Sequence, residues 1–378
     1  MSRRGVCPLL LAAILTGCGA VSRSSELFFA AKKSSELFLL ALLASFLVAC
    51  GADEPHVVLY VSADDHVARP IIKAFEEQSG IRVDMVGDTE QKKTVGLVRR
   101  LLAEKDNPQA DVFWSSEVFN TIRLADQGVF AEHDSAIAAD RPAAYRDPLR
   151  RWYGFAARAR VIVYAPDRVA PEDVPRTWMG LTNSKFRGRI VMADPRFGTT
   201  GGHLGAMKVF WTKLDGAFYY EAFLIGLADN EVRLLPGGNA GVVRAVADGE
   251  ADLGMTDTDD VWAALNAGRR VRLTYPRHAI DGVSDGGTLL IPNTVAVVAG
   301  GPNPAQASAL VDFLLSEEVE RMLAVSGSHN VPVRAAVAAD YSEYAVPDPL
   351  KVNLARVAAA MPGAIDAAMR LLDGSDAP

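Results

Sequence analysis

The sequence predicts an α/β protein of two lobes, with a ligand cleft and a hinge between them. Three observations lead there. Short apolar β-type runs alternate with apolar residues at helical spacing through most of the chain after residue 55, as parallel sheets with crossover helices require. The alternation occurs twice, separated by a Pro- and acid-rich connection at 166–175. A long apolar run at 288–298 follows the second set, where a return crossing to the first lobe would fall. The expected boundaries are a leader over 1–50, a first lobe from 56–155 plus 285–345, a second lobe over 156–284, and a C-terminal helical tail over 346–378.

The leader holds two similar segments. Arg3 and Arg4 precede an apolar run that ends in Leu15-Thr16-Gly17-Cys18, and Lys32 and Lys33 precede one that ends in Leu47-Val48-Ala49-Cys50. A basic start, a short apolar run and small residues at the end form a secretory signal rather than a membrane span. Each segment resembles a lipoprotein signal, and both carry Ser-Ser-Glu-Leu-Phe, as a local duplication or an early start would give. Cys50 is the expected lipidation site, because the folded pattern begins just after it. Cys18 is the other possibility.

The chain carries three cysteines, Cys7, Cys18 and Cys50, all in the leader. The exported body therefore has no disulfide, thiolate metal site or cysteine nucleophile. The whole chain has 39 basic and 46 acidic residues; without the leader's five and two, 34 and 44 remain, a net of −10. An acidic body argues against nucleic acid as a partner. After the leader, no apolar run approaches the roughly 20 residues that span a bilayer.

In the first lobe, Val57–Val61 is a strand buried on both faces. Ala68, Ile71, Ile72 and Phe75 mark a helix, 81–86 a second strand, Leu97 to Leu102 a second helix, 111–114 a third strand, and Val118, Ile122 and Leu124 a third helix. Ligands of such sheets lie beyond the strand C-termini. That places Ser62, Asp64, Asp65, His66, Ser115, Ser116 and Glu117 at one mouth. Two β runs, split at Arg158-Ala159-Arg160, fill 152–164.

The second lobe contains the stretch that gives the chain its chemistry, VMADPRFGTTGGHLGAMKVFW at 191–211. It reads as strand, turn and helix. A helix start leaves backbone N–H groups unpaired and carries partial positive charge, and glycines let an anion approach it. The segment alone leaves a plain βα turn with a threonine cap equally open. Helices at 203–213, 215–227, 240–248 and 259–267 and strands at 232–235, 252–256 and 271–275 complete the lobe. Helices near 304–315 and 317–325 follow the return crossing, and the tail is expected to wrap the exterior.

Asp257, Asp259 and Asp260 sit between the strand at 252–256 and the next helix. Three carboxylates can bind a hard cation through oxygen; a single one there would simply cap the helix. Arg158 and Arg160 can pair with an anionic ligand, but the small worth of exposed charges favours solvated strand-edge arginines. Trp114 and Trp262 fit the cleft or the core. Gly282-Val283-Ser284-Asp285-Gly286 has the spelling of a hydrolase elbow but precedes a strand instead of a helix, the wrong context for a nucleophile. An exported hydrolase or transferase on the same fold would need a nucleophile or metal centre for which no motif is present.

The phrases ADVFWSSEVFNTI at 110–122 and IPNTVA at 291–296, with 57–83 and 198–207, resemble bacterial extracellular solute-binding proteins of family 1, of the ferric-ion-binding (iron(III) ABC importer) type. The resemblance covers about 55 to 335. It implies a type II periplasmic-binding-protein fold and reversible capture of a small solute, Fe(III) or another hard cation with a synergistic anion. It further implies a cell-envelope location, delivery to an inner-membrane ABC permease, and neither catalysis nor a cofactor. The protein would act as a lipid-anchored monomer. The anion would sit on Thr199, Thr200 and Gly201, with Ser62, Ser116 and Asn293 at the mouth. Candidate metal ligands are His66, Glu117, Asp257 and Asp259. The sequence departs from the ferric type where that type carries adjacent tyrosines; here the stretch reads Gly254-Met255-Thr256-Asp257-Thr258-Asp259-Asp260. An organic anion, such as a phosphorylated sugar or phosphonate, is the alternative cargo.

Overall fold

The computed structural model describes residues 54–88, 95–215, 218–280 and 286–373. The leader, with Cys18 and Cys50, and most of the Gly282–Gly286 motif lie outside the described residues. The first α/β set is β1 (His56–Val61), α1 (Asp65–Ser79), β2 (Arg82–Gly87), α2 (Val95–Ala103), β3 (Val112–Ser115) and α3 (Val118–Asp126). β4 (Tyr153–Tyr164) leads to the second set: β5 (Ile190–Ala193), α4 (Gly198–Asp215), α5 (Phe218–Asp229), β6 (Arg233–Leu235), α6 (Gly238–Ala247), β7 (Leu253–Asp257), α7 (Thr258–Asn266) and β8 (Arg272–Thr274). β9 (Leu290–Val297), α8 (Pro304–Leu314), α9 (Glu317–Val325), α10 (Ala335–Asp340) and α11 (Leu354–Leu372) close the described chain.

The strands run in the order β2-β1-β3-β9-β4-β7-β5-β6, with β8 also on β4. Each lobe has a parallel centre. β1 lies parallel to β2 and β3, with Val57 opposite Val83 and Leu59 opposite Val112, and β5 lies parallel to β6 and β7. α1 buries Ala68, Ile71, Ile72 and Phe75, the stripe that a 3.6-residue repeat puts on one face.

β4 joins the lobes as a single twelve-residue strand, not as two runs broken at Arg158–Arg160. Its first half pairs antiparallel with β9, and from Arg160 to Tyr164 it pairs with β7. The irregularity falls at Ala156, whose φ of 50° marks a bulge between Phe155 and Ala157. The arginines do not interrupt the strand: Arg158 pairs with Ile291 of β9 and Arg160 with Asp257 of β7, and both side chains meet carboxylates.

α4 begins at Gly198, five residues before the periodicity suggests, so Thr199 and Thr200 lie in its first turn. The glycines that follow are packing residues. A Cβ on Gly201 would meet Pro195 O at 2.4 Å and Ile365 Cδ1 at 2.7 Å, and one on Gly202 would meet Phe119 Cδ2 at 2.1 Å. Phe119 belongs to α3, so glycine is what lets α4 lie against the first lobe.

The tail helix lies with one face inward and the other, with Ala355, Arg356, Asp366 and Arg370, exposed. α11 packs on α3, α4 and α5 and buries Val357, Ala364 and Ala368 completely. Asn353 caps its start by accepting from Arg356 N, and the Tyr220 hydroxyl on α5 donates to Ala364 O at 2.8 Å. No helix among the described residues is long and apolar enough to cross a membrane.

Candidate functional site

The C-terminal ends of the parallel strands converge where helix N-termini and acidic residues face each other across the lobes. A cavity of about 40 Å³ lies there, lined by Asp64 and Ser116 of the first lobe, Arg158 of β4, and Thr199, Asn239, Asp257, Asp259 and Asp260 of the second.

Behind it is a buried polar knot. Asp257 ends β7 with no exposed surface. Its Oδ1 accepts from Arg160 Nη1 at 2.8 Å. Its Oδ2 accepts from Thr199 Oγ1 at 2.5 Å and from Asn239 Nδ2 at 2.7 Å. Arg160 Nη1 also reaches Thr199 Oγ1 and Asn239 Oδ1, at 3.0 and 3.2 Å, and Arg160 Nε donates to His203 Nδ1 at 3.2 Å. One ion pair thus ties β4, α4, α6 and β7 together. Arg160 is wholly buried, which corrects the solvated strand-edge reading. Asp257 occupies the N-cap position of α7 but makes no side-chain cap bond, because Arg160, Thr199 and Asn239 take its oxygens.

The knot changes what Thr199 can offer. Its proton goes to Asp257, so the hydroxyl has none left for an anion. The remaining donors there are the backbone N–H groups of the first turn of α4, which have no partner within the helix. Thr200 and Gly201 are buried and do not line the cavity.

Arg158 lies two residues back on the same strand face. Its Nη1 is 2.9 Å from Asp259 Oδ2, with the two side chains 12% and 11% exposed. Its Nη2 donates to Asn293 Oδ1 at 2.7 Å, and its buried Nε has no hydrogen-bond partner. Burial works against the guanidinium charge, but Asp259, Asp257, Asp260 and Asp64 more than offset it and raise the pKa. Asn293 in turn donates to Asn330 Oδ1 at 2.8 Å. Ser62 Oγ accepts from Ser116 N at 2.8 Å, joining the ends of β1 and β3.

Asp257, Asp259 and Asp260 each place a carboxylate oxygen within 4.8 Å of the others. Neither Glu117 nor His66 belongs to that group. Glu117 caps α3, accepting from Phe119 N at 2.7 Å and Asn120 N at 3.2 Å. Burial, opposed by those backbone bonds, pushes its carboxyl up to about 7. His66 is exposed and lines a wider opening of about 750 Å³, which shares Asp64, Asp259 and Asp260 with the cavity. No tyrosine lines the cavity among the described residues. Asn239 and His203 escaped the sequence analysis. The one available signal for Asn239 was a Gly-Gly-Asn turn opening a helix; for His203 there was none beyond its position in the glycine-rich stretch.

A fold of two parallel-centred lobes joined by β4 and β9, with a polar cavity at their facing strand ends, defines a binding protein of the periplasmic type. The chain belongs to the family of bacterial extracellular solute-binding proteins, whose pattern it matches over residues 70–348. It is 30% identical over 234 residues to a probable ABC transporter periplasmic-binding protein, y4fP, of Sinorhizobium fredii, across 59% of this chain and 60% of that relative. It is 26% identical over 294 residues to iron uptake protein A1 of Synechocystis, across 75% and 78%. The fold superposes on iron-bound HitA from Pseudomonas aeruginosa with a TM-score of 0.71 at 25% identity, covering 82% of this chain and 98% of that one.

Proposed function

We propose that this chain is the substrate-binding component of an ABC importer. It captures Fe(III), or another hard cation, together with an anion, and does no covalent chemistry. The observation that carries this reading is the acidic group on the wall of the interlobe cavity, with Asp259 and Asp260 as ligands and Asp257, held by Arg160, adding negative charge behind them. Hard cations take oxygen ligands, and the carboxylates stand where a cation and an anion can be held side by side. The anion would rest against the first turn of α4 and Arg158. Two of the three named relatives are an iron uptake protein and an iron-bound protein, which favours iron. In the full reading the protein is exported, lipid-anchored at Cys50, monomeric, and delivers to an inner-membrane permease. Its lobes divide near 155/156 and 284/285.

A second cargo, an organic phosphate or phosphonate, is favoured by one feature: the unpartnered Nε of Arg158 beside a helix N-terminus. Thermal unfolding of residues 51–378 separates the two. Ligand at about 100 times its Kd adds roughly 2.7 kcal/mol, a shift of several degrees. A shift with Fe(III) and citrate that disappears in Asp260→Asn supports the cation reading. A shift with a phosphonate and none with metal overturns it.

A further inference from the structure

Arg158 stands on the hinge strand among the carboxylates that a cation would need. Its guanidinium is held at both ends, 2.9 Å from Asp259 Oδ2 and 2.7 Å from Asn293 Oδ1. Asp257 and Asp260 present oxygens within 4.8 Å of the Asp259 oxygen. Both residues, with Asp64, lie close enough to stabilise the guanidinium charge. A tethered cation therefore already faces the carboxylates proposed for the cargo. Arg160, by contrast, is wholly buried in the knot behind Asp257 and does not line the cavity.

Resting on the cation reading above, we infer that Arg158 is a specificity-determining residue that competes with the cargo cation for Asp259. A metal and the Arg158 guanidinium that both draw on Asp259 repel each other, and at side-chain exposures of 12% and 11% water screens that repulsion less than at the open surface. A bound metal must take Asp259 from the guanidinium, which keeps its bond to Asn293 and turns its freed Nη1 toward the anion that accompanies the metal. The site's affinity is thereby set below what its carboxylates alone would give. This is a useful property for a protein that must hand its cargo on. It also offsets part of the site's negative charge between cargoes.

The test is Arg158→Gln, which removes the charge and keeps a polar side chain. Fe(III) is supplied with citrate, and affinity is read by competition against the chelator. Arg158→Gln is expected to bind Fe(III) at least tenfold more tightly than the unsubstituted protein. Arg158→Lys, which restores a cation, should return toward the original affinity. Asp260→Asn should weaken binding in either background. Should Arg158→Gln lose its cooperative unfolding transition, Arg158→Met, which keeps the aliphatic stem, supports the same comparison. Equal binding in the neutral variants, while the unsubstituted protein binds Fe(III), overturns the inference; weaker binding overturns it and makes Arg158 a ligand-holding group. Absence of Fe(III) binding in the unsubstituted protein and the variants overturns the cation reading itself.

Discussion

The Arg160–Asp257 pair offers a sharp test of how the site is held together. Both side chains are essentially fully buried, and their contact is 2.8 Å. Arg160→Met leaves a carboxylate with two neutral hydrogen-bond donors in place of a cation. Asp257→Asn leaves a buried guanidinium without its counter-charge and sets the new amide N–H₂ or carbonyl against mismatched partners on Thr199 and Asn239. Breaking a buried ion pair by removing one member costs about 3–5 kcal/mol. The knot contains several charge-assisted hydrogen bonds, each worth roughly 1.5–3 kcal/mol, so either single change should fall in that range. The double variant should cost clearly less than the sum, because the second removal relieves the stranded charge left by the first. A coupling of about 2 kcal/mol or more is expected. The assay is urea unfolding of residues 51–378, followed by circular dichroism and tryptophan fluorescence. Coincident curves are required before a free energy is drawn from a chain of this size. Single variants that each cost under about 1 kcal/mol, and a double variant that is simply additive, would refute a dry, mutually dependent pair.

Two further predictions concern the frame around the site. Gly202→Ala places a methyl group 2.1 Å from Phe119 Cδ2, and such overpacking should cost about 1–3 kcal/mol; Phe119→Leu in the same chain should recover part of that loss in thermal unfolding. Glu117 has a folded-state pKa of about 7, raised above its ordinary value. Its contribution to stability is fully present below the unfolded pKa and is lost as pH rises through about 7. The loss amounts to about 3 kcal/mol at 1.36 kcal/mol per pH unit. Glu117→Gln keeps an acceptor for the α3 cap and removes this dependence, so its stability relative to the unsubstituted protein should climb between pH 4.5 and 7 and then level off. A flat difference across that range would show that the carboxylate is ionised throughout.

Much of the frame was legible in the sequence because it rests on period. The stripe Ala68, Ile71, Ile72 and Phe75 lies inward as its spacing requires, and the helix expected at 317–325 spans Glu317–Val325. The failures came where a residue's chemistry is decided by partners far along the chain. Arg160 meets Asp257 across 97 positions and Thr199 across 39. No local pattern announces such a pair, and two arginines in a strand look like a break. The glycines of the 198–202 stretch misled for a related reason. Glycine serves both close ligand approach and close helix packing, and only the neighbours on α3 and α11 separate the uses at Gly201 and Gly202. The acidic group was legible as three carboxylates in four positions, but Glu117 was not distinguishable from a ligand until its cap bonds were visible.

The C-terminal helix bears on how such a protein moves. Hinged binding proteins open by rotating lobes about a few strand residues, and two strands by themselves resist that rotation weakly. Here α11 is seated at once on α3 of one lobe and on α4 and α5 of the other, through buried apolar residues such as Val357 and Ala368. Rotation that draws either lobe off this helix exposes apolar surface at about 25 cal/mol per Å². A pivot whose axis runs close to the helix avoids most of that exposure. If the lobes rotate, the helix would act as a spring with a preferred direction, its stiffness set by the size of the side chains along one face rather than by the strands that carry the chain across.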